Sequence, residues 1–131
     1  CVSDADVLIK FVQGGQLDLL CSTMPLIVVP QWVRREVLRK LPLGNKTDTF
    51  VSTIKEMKIS VAETDGGDDL TASQLRSIST FIESYSVFMD DGELRAAALA
   101  NELEIPLMLS DDRTAQSVIQ TRTSLFVLRV H

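Results

Sequence analysis

Apolar residues in this chain come in short runs set between amphipathic stretches. "LIVVP" (26–30), "IPLMLS" (105–110) and "SLFVLRV" (124–130) are short enough for buried strands, and "KISVAE" (58–63) alternates as a half-covered strand would. "CVSD" (1–4) reads as the end of another short strand. The intervening segments carry helical spacing. "ADVLIKFVQGG" ends at the helix-stopping pair Gly14-Gly15, and "QLDLLCS" reads as a short second helix. "QWVRREVLRKL" places Val33, Val37 and Leu41 on one side and Arg34, Arg35 and Arg39 on the other, with Pro30 expected in its first turn. Further helices are expected over 46–56, over "DLTASQLRSISTFIESY" (69–85, with Leu70, Leu75, Ile78 and Ile82 on one face), over "GELRAAALANELE" (92–104) and over "DDRTAQSVIQTR" (111–122). "TDGGDD" (64–69) is a turn-rich break.

Strands alternating with helices predict right-handed crossovers and a mainly parallel sheet covered on both faces, a three-layer α/β/α domain. The 131 residues suit one such domain over 1–131, large enough to fold without staples. No repeat, low-complexity segment, signal peptide or membrane span is visible, and no aliphatic run approaches the roughly 18 residues that a bilayer requires. The chain starts at Cys1 without Met, so a trimmed natural start is expected.

Charge and rare residues narrow the chemistry. A formal net charge of −5 argues against a simple basic grip on nucleic acid, yet it suits an enzyme whose acidic centre is filled by cations. With five Phe, one Trp and one Tyr, a broad base-stacking platform is not expected. Cys1 and Cys21 lack zinc spacing and form no disulfide framework, which favours a reduced, cytoplasmic setting with Cys21 as a small core residue. His131 is the only histidine, and it is the last residue, so a buried histidine base is not expected.

The acids stand at telling places. Ligands of open parallel sheets sit beyond the carboxyl ends of the strands. Asp4 and Asp6 follow the first predicted strand, Asp111 and Asp112 follow 105–110, and Glu36 and Glu93 fall in the first turns of helices. Each has a structural alternative. Asp90 and Glu93 have capping-box spacing, Asp111 can cap the next helix, Glu36 stands four residues before Lys40, and Asp4 and Asp6 can be turn residues. Gathered at one edge, however, such carboxylates repel, and a divalent cation removes that cost. Oxygen ligands without Cys or His point to Mg²⁺ or Mn²⁺, and so to phosphoryl chemistry.

The order of these segments resembles the PIN-domain nucleases, many of which are the VapC-type toxins of toxin–antitoxin pairs. The resemblance rests on "VSDADVLIKF", "IVVPQWVRREV", "GELRAAALA" and "LMLSDDRTA", and "GGQLDLL" suits a Gly-Glu subgroup of the family. It implies Asp4, Glu36, Glu93 and either Asp111 or Asp112 as catalytic metal ligands, one alignment placing Ser110 at the hydroxyl position and Asp112 as the acid. Asp6 and Ser110 are then supports for the ligands or their waters. It further implies an endoribonuclease leaving a 5′-phosphate and a 3′-hydroxyl, a homodimer, and a small antitoxin partner. Arg34, Arg35, Arg39 and Arg113 are the nearest candidates for contacting RNA, each equally readable as part of a solvated face. Gln116 stands where the subgroup usually carries Arg.

Two rival readings fit part of the pattern. "DADV" and "SDD" match motifs of haloacid-dehalogenase-type phosphatases, which leave the Ala-rich helix of Glu93 unexplained. A PIN-like fold serving only as a binding module is the other, against which stands the filling of all the acid positions.

Overall fold

The computed structural model describes residues 1–24, 26–42, 44–63 and 70–130, so the predicted turn at 64–69 lies outside the described residues. Its elements in chain order are β1 (Val2–Ser3), α1 (Ala5–Gln13), α2 (Leu17–Thr23), β2 (Ile27–Pro30), α3 (Gln31–Lys40), α4 (Asn45–Lys55), β3 (Ile59–Ala62), α5 (Ala72–Tyr85), α6 (Asp91–Glu102), β4 (Leu107–Ser110), α7 (Arg113–Arg122) and β5 (Phe126–Arg129). The predicted strands and helices are present, with ends shifted by a residue or two.

The five strands form one sheet in the order β3-β2-β1-β4-β5, and every pairing is parallel. Val2 sits opposite both Val28 and Met108, so β1 is the central strand. The chain winds outward from β1 through β2 to β3 on one side and through β4 to β5 on the other. The switch point therefore lies at β1 and β4, where a crevice opens beyond the strand ends. The short β1 is tied to β4 past its last residue, the Asp4 amide donating to the Leu109 carbonyl at 3.1 Å.

Helices flank this sheet, and α6 lies against β1, β2 and β4 at its centre. Residues 92–94 and 96–100 of α6 are all buried, which is why its sequence is so rich in Ala: only small side chains let a helix be enclosed on nearly all sides. Ile78 and Phe81 bury the inner face of α5, whose start is fixed by a reciprocal capping box between Thr71 and Gln74. The strands are buried much as their apolar runs require, with Val2, Ile27, Val29, Met108 and Leu109 fully enclosed.

Two expectations need adjusting. Pro30 is the last residue of β2 and the cap position of α3, not a residue of its first turn; its φ of −68° suits the strand end equally well. Cys21 is half-buried at the margin of the core, because Leu17 and Leu20 take the inward positions of α2.

Candidate functional site

The crevice at the switch point is built from strand ends and helix starts. Asp4 is the cap of α1: its Oδ1 accepts from the Val7 amide at 2.9 Å. Its Oδ2 is buried and accepts no hydrogen bond. A carboxylate 2 % exposed with one oxygen unpartnered is costly in the charged form. Burial accordingly pushes the Asp4 carboxyl up to about 7, further raised by Asp111 and Asp6 and held back by the Val7 amide and the Ser110 hydroxyl. The hydroxyl favours the carboxylate from nearby without reaching Oδ2 in good hydrogen-bond geometry.

Glu93 enters from the first turn of α6. The structure divides the expected capping box: Asp90 Oδ1 accepts from the Glu93 amide at 3.0 Å, so Asp90 is the cap, while the Glu93 side chain turns inward and is 4 % exposed. Burial pushes its carboxyl up to about 9, with Asp90, Asp112 and Asp4 adding like-charge repulsion.

The adjacent pair Asp111 and Asp112 also splits. Asp112 caps α7, its Oδ1 accepting from Thr114 at 2.7 Å and Ala115 at 3.1 Å, and its own amide donates to Ser110 Oγ. Asp111 faces the crevice. Asp4, Glu93 and Asp111 each offer a carboxylate oxygen, and the three atoms lie within 4.8 Å of one another, a spacing that a single cation spans.

Glu36 and Asp6 join from the other wall. Both line one cleft with Asp4, Asp90, Gly92 and Glu93. Glu36 presses so close to α6 that a Cβ at position 92 would stand 2.6 Å from its Oε2. It also forms the predicted pair with Lys40, at 3.0 Å, and Lys40 reaches Asp6 at 3.5 Å. Lys10 pairs with Asp111 at 2.8 Å. Neither lysine was expected as part of the site, although each stands four residues after an acid, Asp6 or Glu36, on the same helix.

The arginines spread out. Arg35 and Arg39 are exposed and line a groove with Trp32 and Glu36, next to the acidic cleft. Arg34 is half-buried, and Arg113 is exposed at the start of α7; neither lines that groove. Gln116 donates to the Val127 carbonyl at 3.3 Å, a structural contact in place of a cationic one.

The donor set fits a hard divalent cation. It is all carboxylate, it is partly shielded from water, and it holds a buried oxygen that lacks a partner.

Comparisons with known proteins agree with this geometry. No curated protein matches the chain significantly. Among solved structures, the crystal structure of VapBC2 from Rickettsia felis bound to a DNA fragment from their promoter contains a similar chain. The TM-score is 0.61 at 10 % identity, covering 98 % of this chain and 96 % of that one. At that identity the likeness establishes the fold. The family profile described as a PIN domain matches residues 1–125, so this chain belongs to the PIN-domain family.

Proposed function

We propose that the protein is a Mg²⁺- or Mn²⁺-dependent endoribonuclease and the toxin of a toxin–antitoxin pair. The observation that carries this reading is the convergence of Asp4, Glu93 and Asp111 at the switch point, with Asp4 Oδ2 buried and unpartnered. Membership of the PIN-domain family supports nuclease chemistry and sets aside the phosphatase alternative.

Asp4, Glu93 and Asp111 would hold the cation, and Glu36 would face it from α3. When bound, the ion supplies positive charge that lowers the pKa of a coordinated water and offsets charge developing on a phosphodiester. The chain's own groups do the rest. The Val7 amide fixes the direction of Asp4, and Asp90 fixes the first turn from which Glu93 projects. Ser110 orients the Asp112 backbone and so the turn that carries Asp111. Asp6 and Lys40 brace Glu36. Asp112, close to Glu93, is the alternative fourth acid.

The remaining parts of the reading follow from the family. The protein would act in the cytoplasm as a homodimer, and a small antitoxin would block the acidic cleft with a basic side chain. A solution mass near the 14.5 kDa of the monomer at micromolar concentration would count against the dimer. The central test is cleavage of single-stranded RNA with and without Mn²⁺ by the wild type and by Asp4→Asn. Metal-dependent cleavage that leaves 5′-phosphates and vanishes in the variant is expected. Equal cleavage by both proteins, or Mn²⁺ binding by neither, would sink the proposal.

A further inference from the structure

We infer that the groove lined by Trp32, Arg35 and Arg39 is a nucleotide subsite that seats one base and its phosphate beside the acidic centre. This rests on the nuclease reading and extends it to the path of the substrate.

The three residues share one face of α3 with Glu36, at the spacing i, i+3, i+4 and i+7. Glu36 is common to this groove and to the acidic cleft, so whatever fills the groove abuts the cation ligands. Trp32 is the chain's single tryptophan, and it is half-buried. The Arg95 guanidinium lies 4.6 Å from its ring centroid and covers one face, holding the ring in place while the groove keeps contact with the rest. The groove measures about 160 Å³, room for one small planar group and too little for a folded segment of a protein partner.

Charge narrows the occupant. Lys10 and Lys40 are tied to acids of the centre. Arg35 and Arg39 are exposed, and among the described residues neither has a salt bridge or side-chain hydrogen bond. Two unpaired guanidiniums beside an indole, on a chain of net charge −5, suit a phosphate and the base attached to it. They also answer a difficulty of the acidic centre, which by itself repels a polyanion. A single-stranded nucleotide held there would draw the neighbouring linkage to Glu36 and Asp4.

The lone tryptophan makes the groove directly observable. A six-nucleotide single-stranded RNA is titrated against the whole protein in EDTA while indole fluorescence is recorded. Saturable quenching is expected in the wild type and in Asp4→Asn. In the double variant Arg35→Gln, Arg39→Gln the dissociation constant should rise about tenfold, and the slope of log K against log salt should flatten by roughly 1.4, about 0.7 for each lost phosphate contact on a single strand. With Mn²⁺ present, KM should rise with kcat within about twofold, since the arginines act on binding and not on the reacting bond. Absence of quenching by RNA in a protein that cleaves RNA would overturn the subsite. So would an unchanged salt slope in the double variant, or quenching by an acidic peptide in preference to the RNA. Quenching without any Mn²⁺-dependent cleavage would support the groove and sink the nuclease reading instead.

Discussion

Gly92 and Glu36 are in a contact that no other residue at position 92 would allow: a Cβ there would lie 2.6 Å from Glu36 Oε2. The glycine thus admits the Glu36 carboxylate to the rim of the cation site, in the middle of a helix where glycine is otherwise unfavourable by roughly 0.5–1 kcal/mol relative to Ala. Gly92→Ala should therefore separate stability from function. The clash is with the free end of a flexible side chain, so the fold tolerates it, and the gain in helix propensity should leave the melting temperature unchanged or slightly raised. Glu36 must swing away, and Mn²⁺ affinity and RNA cleavage should fall at least tenfold, about 1.4 kcal/mol. Thermal melts and Mn²⁺ titrations of the two proteins check it. A variant that melts early but binds Mn²⁺ normally would show that the glycine serves packing alone.

Asp4 and Glu93 make metal-free stability depend on pH in a definite direction. Both carboxyls are raised by burial, Asp4 to about 7 and Glu93 to about 9, from 3.8 and 4.5 in the unfolded chain. Between the unfolded and folded values the native state binds more protons than the unfolded state, so stability falls as pH rises. In EDTA, the stability of Asp4→Asn relative to wild type should climb from about pH 4 to about pH 7 and then level off, with a melting temperature several degrees above wild type at pH 8. Difference melts across this range are the measurement, and a flat difference curve would mean that Asp4 is not held in a costly environment.

Mn²⁺ should reverse that penalty. A ligand that binds only the native state stabilises it by about 2.7 kcal/mol at a hundred times its dissociation constant. At pH 8 the wild type should gain several degrees on addition of Mn²⁺ and lose them in EDTA. Asp4→Asn, already relieved of its charge, should gain little. Equal shifts in both proteins would place the binding elsewhere.

Much of this was legible in the sequence, because strand and helix periods report on burial, and burial is what parallel α/β packing demands. The acids after β1 and β4 could be placed at one edge from strand order alone. What the chain could not disclose needs tertiary distance. "GELRAAALA" announces a helix, but not one enclosed on nearly every side. The spacing of Asp90 and Glu93 fits a capping box, yet only Asp90 caps, since the buried crevice captures the Glu93 side chain instead. Lys10 reads as a residue of a solvated helix end until β4 brings Asp111 to within 2.8 Å of it. The stacking of Arg95 on Trp32 joins α6 to α3 and leaves no local trace in either segment.

Asp111 and Asp112 are adjacent and chemically identical, and the structure gives them different work. Asp112 accepts from the Thr114 and Ala115 amides and ends the exposed start of α7, whereas Asp111 shares the crevice with Asp4 and Glu93. Removing the cap should cost stability: Asp112→Ala is expected to lose about 0.5–2 kcal/mol, as other helix caps do. Mn²⁺ affinity should then fall only modestly, through the loosened turn beside Glu93. Asp111→Asn should behave oppositely. Its partner Lys10 is nearly half exposed, so the broken ion pair costs little, on the order of a few tenths of a kcal/mol. The lost ligand charge should nevertheless weaken Mn²⁺ binding by tenfold or more and depress cleavage in proportion. Chemical denaturation and Mn²⁺ titration of the two single variants, side by side, decide the assignment. If Asp112→Asn, which keeps an oxygen for the cap, abolishes metal binding while Asp111→Asn leaves it intact, then the cap residue is the fourth acid, and Asp111 serves only to anchor Lys10.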